Sequence, residues 1–156
     1  MRIAASELKG LTGHEAGRML LAQLYREETG EDLPPIAVTE RGKPYFEDSS
    51  LHFSISHTKK HAFCVLSSEK VGIDAEEKDR NIDLRLAEKI LSPTEKQQFD
   101  AAEDKRLALL KFWVLKEAAA KCTGEGLRGY PNHTLFSLDD PRVTEQDNCL
   151  VAVITE

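Results

Sequence analysis

Apolar side chains at Leu20, Leu21, Leu24 and Tyr25 recur on one side of a helical turn, so an amphipathic helix is expected there. Thr12-Gly13-His14-Glu15 has the form of a capping box that would start it, and Gly30 would end it. Pro34-Pro35 marks a loop, Ile36 to Thr39 a short strand, and Glu40 to Pro44 a turn that leads into Tyr45-Phe46. From Leu51 to Ser56 the period changes to two. Leu51, Phe53 and Ile55 face one way and His52, Ser54 and Ser56 the other, the pattern of a half-buried strand. Ala62–Leu66 and Val71–Glu76 are two further strands, and short connections predict one antiparallel sheet from all three. Helical periodicity then takes over. Asp83 to Leu91 is amphipathic, and Ser92-Pro93-Thr94-Glu95 opens a helix running to about Asp100. A long helix follows from about Asp104 through Lys121, broken by Gly124, Gly126 and Gly129. Leu135–Leu138 and Cys149–Ile154 are expected as terminal strands. The class is α+β, with antiparallel strands packed by helices.

The long helix carries charge in apolar surroundings. Trp113, Glu117 and Lys121 recur every fourth residue and so share a face. A carboxylate there needs a partner, because an unpaired buried charge is costly. An ordinary Glu117–Lys121 salt bridge would supply one. Asp74 and Glu76 sit two apart on a strand, so both leave the same face. They repel unless a cation lies between them, and hard carboxylate oxygens suit Mg²⁺. A solvated strand end is the other reading, since Glu76-Glu77-Lys78-Asp79-Arg80 is a charge run. Glu117 would be a third carboxylate if the helix packs on this strand. Ser56-His57 at a strand end can contact a phosphate or simply form a polar loop; no acid partner supports a hydrolase triad. Lys43, in the Gly42-Lys43-Pro44 turn, is a point charge useful for phosphate. No Walker-type loop is present.

A chain of 156 residues supports one domain with a real core, and a formal charge of −6 argues against nonspecific nucleic-acid binding. No apolar run approaches the ~20 residues of a membrane span, and Met1 to Glu7 lacks the apolar region of a signal peptide. Cys64, Cys122 and Cys149 form no CxxC pair and lie in apolar runs, as reduced core thiols do. A cytoplasmic protein without nucleic-acid or membrane partners is the expectation.

The order of the motifs adds what no single one carries. Gly42-Lys43-Pro44-Tyr45-Phe46 precedes Phe53-Ser54-Ile55-Ser56-His57-Thr58, then Val71-Gly72-Ile73-Asp74-Ala75-Glu76, then Leu91-Ser92-Pro93-Thr94-Glu95. Phe112 to Lys121 follows, closed by Gly124-Glu125-Gly126-Leu127. Over about residues 12 to 154 the chain resembles the 4′-phosphopantetheinyl transferases of the surfactin-synthetase-activating type. The resemblance implies transfer of the phosphopantetheine arm of coenzyme A to a serine of an apo acyl, peptidyl or polyketide carrier protein, releasing adenosine 3′,5′-bisphosphate. It implies Mg²⁺, with Mn²⁺ able to substitute, held by Asp74, Glu76 and Glu117. Glu117 would also accept the serine proton, directly or through water. Lys121 would contact the pyrophosphate and stabilise the leaving phosphate. Ser56 and His57 would bind a coenzyme A phosphate, and Lys43 and Pro44 would border the adenine nucleotide. A noncatalytic module binding coenzyme A or a carrier protein on the same fold is the alternative.

The family has two similar halves related by a pseudo-twofold. Here residues 1–156 are expected as a single domain, with a trimmed first half over about 1–66 and a second over about 67–156. The strands and basic residues that precede the first helix in the family are expected to be nearly absent, leaving only Arg2 and Lys9 before Leu11. Lys105, Arg106 and Lys111 are candidates for a basic patch that meets an acidic carrier. A site complete within one chain is expected.

Overall fold

Thr12 caps helix α1 (Gly13–Thr29): its side chain accepts from the Glu15 amide, and the Glu15 carboxylate accepts from the Thr12 amide. The helix ends at Gly30, whose φ of 77° is the left-handed conformation that glycine adopts without strain. These elements belong to a computed structural model that describes residues 1–126 and 135–156. The predicted apolar face of α1 is buried on an antiparallel sheet of order β1-β5-β4, formed by β1 (Arg2–Glu7), β4 (His52–His57) and β5 (His61–Ser67). The hairpin of β2 (Ile36–Val38) and β3 (Pro44–Phe46) sets Phe46 against Tyr25 and Phe53 in the same core.

The second layer pair consists of an antiparallel sheet of order β6-β8-β7 and a long helix. Its strands are β6 (Val71–Glu77), β7 (Val143–Gln146) and β8 (Cys149–Thr155). Helix α4 (Lys105–Thr123), capped by Asp104 and closed by left-handed Gly124, crosses β6 and β8. Its apolar residues join Ile90, Leu91, Phe99 and Leu150 in one core. The short α2 (Ala87–Ile90) and α3 (Pro93–Ala101) precede it, and α3 begins with the expected Ser92–Glu95 capping box. The two sheets meet through Phe63 and Val65 of β5 and Ile73 and Ala75 of β6, all essentially inaccessible. The α+β class with antiparallel sheets holds. The cysteines are free and buried. Among the described residues no helix is long and apolar enough to cross a membrane.

Several expectations are corrected. β6 does not join the sheet of β4 and β5; its ladder partner is β8, far along the chain. β4 is not half-buried, because Ser54 and Ser56 are covered by β6. Their hydroxyls accept from the amides of Ile73 and Ala75, both at 3.1 Å. Side-chain oxygens spaced two apart thus satisfy strand amides spaced two apart, and polar residues lie inside without an unmet donor. Asp83 to Leu91 is a 3₁₀ turn (Leu84–Leu86) followed by four helical residues. Leu135–Leu138 forms no strand: the amides of Phe136 and Leu138 donate to Glu95 and Gln98 side chains at 3.0 and 2.8 Å. The expected break at Gly129 and the Leu127 end of its motif lie outside the described residues. Two strands went unpredicted. β1 occupies the stretch ahead of the first helix, where strands were expected to be nearly absent, and its Arg2 pairs with Glu28. β7 reaches β8 through Asp147-Asn148, with φ of 51° and 60°, as a tight hairpin requires.

Candidate active site

Gly72 decides how closely α4 approaches β6. A Cβ there would lie 2.0 Å from the Ala118 carbonyl oxygen and 2.5 Å from the Cys122 amide nitrogen. With only hydrogen at that point, the last turns of α4 lie against the strand and Lys121 reaches Asp74. The Lys121 ammonium donates to Asp74 Oδ1 at 2.8 Å and to the Ile73 carbonyl at 3.1 Å, and it reaches the Ile55 carbonyl at 3.5 Å. It therefore ties β4 to β6. The Ser56 hydroxyl donates to the same Asp74 oxygen at 3.2 Å while accepting from Ala75. The partner of Lys121 is Asp74 and not Glu117, so the simple pairing within the helix is not the one adopted.

Next along β6, Glu76 accepts from Arg80 and, at 3.3 Å, from the indole nitrogen of Trp113. The Arg80 guanidinium carbon also lies 5.6 Å from the centre of the Trp113 ring. Glu117, half-buried, is close enough to feel both other carboxylates. Burial pushes the Glu117 carboxyl above its ordinary range, and the charge of Asp74 and then of Glu76 adds to the rise. Glu76 is raised by burial and by Asp74, against the pull of Arg80. Asp74 is raised by burial, with Lys121 and Ser56 opposing. The donor set suits a hard divalent cation: three carboxyls repel one another, and Asp74 Oδ2 is buried with no hydrogen-bond partner. Among the described residues, however, no three Asp, Glu, His or Cys side chains close on a common point. Asp74 and Glu76 are closed on Lys121 and Arg80 instead.

Two clefts flank this centre. One, of about 880 Å³, is bordered by His57, Thr58, Glu76 and Arg80, with Gly13 at the start of α1. The His57 ring leaves no room for a Cβ at Gly13, which would come within 2.2 Å of its Cγ. The other cleft, of about 280 Å³, is bordered by Lys43, Pro44, Ser54, Glu117 and Lys121. Of the residues singled out for the site, His57 and Glu76 border the larger cleft and Lys43, Pro44, Glu117 and Lys121 the smaller, while Asp74 lies behind Lys121. Ser56 and Asp74 are both buried, and Ser56 is bonded to Asp74 and to the Ala75 amide. Lys43 is not the free point charge expected. Its ammonium donates to the Cys122 carbonyl, one of the last carbonyls of α4, which lack helical donors. Partial burial lowers the pKa of that ammonium.

The sequence reading missed Arg80 as the neighbour of Glu76, and it missed Lys116. Lys116 and Glu95 form a pair at 2.8 Å with side chains 1% and 0% exposed. Glu95 also accepts from the Ser92 and Phe136 amides. The capping box flagged Glu95; nothing local marked its second oxygen. The candidate basic patch is not free either. Lys105 donates to carbonyls at the end of α3, and Arg106 to those of Lys78 and Arg80.

Residues 70–151 match the model of the 4′-phosphopantetheinyl transferase superfamily. Among curated proteins, a 4′-phosphopantetheinyl transferase of Bacillus subtilis is 33% identical over 117 residues, covering 71% of this chain and 51% of its own length. The 4′-phosphopantetheinyl transferase Sfp of Bacillus subtilis strain 168 is 37% identical over 92 residues, 56% of this chain and 40% of its own. The 4′-phosphopantetheinyl transferase gsp of Aneurinibacillus migulanus is 34% identical over 90 residues, 56% of this chain and 37% of its own. The chain thus spans about half or less of the length of these relatives.

Proposed function

The chain belongs to the 4′-phosphopantetheinyl transferase superfamily, and we propose that it transfers the phosphopantetheine arm of coenzyme A to a serine of an apo carrier protein, releasing adenosine 3′,5′-bisphosphate. The observation that carries this reading is the meeting of Ser56, Asp74 and Lys121 between two clefts, with Glu76 facing one and Glu117 the other. Such chemistry asks for in-line positioning and for positive charge on the phosphate oxygens. Lys121 supplies charge from the helix side. His57 borders the larger cleft where a phosphate of coenzyme A would lie, and Lys43 and Pro44 border the smaller, beside the adenine nucleotide. Ser56 orients Asp74 from beneath. Glu117, its carboxyl raised by burial, accepts the serine proton directly or through one water.

Asp74, Glu76 and Glu117 would hold Mg²⁺ or Mn²⁺, which when bound neutralises charge on the coenzyme A pyrophosphate. The test is incubation with coenzyme A and a panel of apo carriers, followed by mass spectrometry. A carrier should gain the mass of the arm only with Mg²⁺ or Mn²⁺ present, and Asp74→Ala and Glu117→Ala should each lose most turnover. Coenzyme A binding without transfer to any acyl, peptidyl or polyketide carrier would leave a binding module as the better reading.

A further inference from the structure

The two cations at the site differ from the buried Lys116–Glu95 pair in one respect that decides what they can do. Lys121 and Arg80 are 33% and 38% exposed, against 1% for Lys116. A pair sealed from water on both sides exchanges only at a large cost, whereas a partly exposed cation can turn into a cleft if an incoming divalent ion takes its place on the carboxylate, which is 9% exposed for Asp74 and 22% for Glu76. Each exposed cation sits on one carboxylate of the candidate metal set, Lys121 on Asp74 and Arg80 on Glu76. Each also borders a different cleft, Arg80 the larger and Lys121 the smaller.

We propose that Arg80 and Lys121 are exchangeable counter-ions of these carboxylates, released into the clefts when a divalent cation binds and taken up there by an anionic diphosphate. The inference rests on the reading of Asp74, Glu76 and Glu117 as metal carboxylates. Three carboxylates and two cations leave the cluster close to neutral. A divalent ion added to them creates an excess of positive charge unless an anion follows. Cation and diphosphate therefore bind cooperatively, and by linkage each tightens the other by the same factor. Arg80 carries the specific part. Its guanidinium lies over Trp113, and the Trp113 indole donates to the carboxylate that Arg80 holds. Trp113 is the chain's only tryptophan, so its fluorescence reports the release of Arg80.

The experiment measures Mn²⁺ binding by the signal of the free ion, with and without ADP as the diphosphate probe, corrected for the Mn²⁺–ADP complex in solution. Mg²⁺ titrations followed by Trp113 fluorescence run alongside. In the wild-type chain ADP should tighten Mn²⁺ by about fivefold or more, and Mg²⁺ should change the fluorescence. Arg80→Gln should bind Mn²⁺ alone several-fold tighter, show a smaller ADP effect and lose most of the fluorescence response. Arg80→Lys should lie between the two, and thermal melts establish that each variant is folded. Absence of ADP coupling in the wild-type chain overturns the proposal, as does unchanged or weaker Mn²⁺ affinity in folded Arg80→Gln. Either result leaves the transferase reading standing. Absence of Mn²⁺ binding to the wild-type chain under both conditions overturns the metal reading and this inference with it.

Discussion

Lys116 and Lys121 lie on one helix, both paired with carboxylates at 2.8 Å, yet they do different work. The Lys116–Glu95 pair is sealed, and Glu95 holds the α3 cap with one oxygen and the Phe136 amide with the other. Lys116→Met should therefore strand a buried carboxylate and cost about 3–5 kcal/mol in denaturant unfolding. Adding Glu95→Gln should recover part of that loss, since no buried charge is then left alone. If the single variant unfolds like the wild-type chain, water reaches Glu95 and the pair is not sealed. Lys121, a third exposed, is expected to matter for the chemistry more than for stability.

At the scale of elements, the spacing between α4 and β6 depends on Gly72. Its missing Cβ would meet backbone, which cannot rotate away. Gly72→Ala should lower stability by about 1–3 kcal/mol through overpacking and should move Lys121 relative to Asp74. Gly17 offers the control. A Cβ there would meet Ile55 Cγ2 at 2.4 Å, a side chain that can shift, and alanine is the better helix former. Gly17→Ala should cost clearly less than Gly72→Ala in the same thermal melts. Equal losses would mean that α4 yields as easily as Ile55 does.

For the molecule as a whole, Ser56 and His57 come from the β4 layer and the carboxylates from β6 and α4. The layers are joined within one chain by the Ser54 and Ser56 hydroxyls, by Lys121, and by the Lys43 ammonium on α4. If the transfer assay shows activity, a mixture of His57→Ala and Glu117→Ala chains should not regain it under conditions of subunit exchange. Recovery clearly above either parent would mean that the site is shared between chains.

The local signals in the sequence were sufficient for α1, α3 and α4, because caps and apolar stripes act over a single turn. They also singled out Asp74, Glu76, Glu117 and Lys121, since carboxylates on a strand and a charged face on an apolar helix stand out in one dimension. Pairing was different. β6 left its sequence neighbours for β8 because hydrogen-bond partners in a sheet are chosen across the chain, and nothing in Val71 to Glu77 names them. Ser54 and Ser56 carried the outward pattern of an exposed face, and only the packing of β6 over them made them internal acceptors. Likewise the choice of Asp74 over Glu117 for Lys121, and of Glu76 for Arg80, was made by the approach of α4 to β6 over Gly72. Charge type is written locally; which charge neutralises which is settled by distances of a few ångströms that exist only after folding.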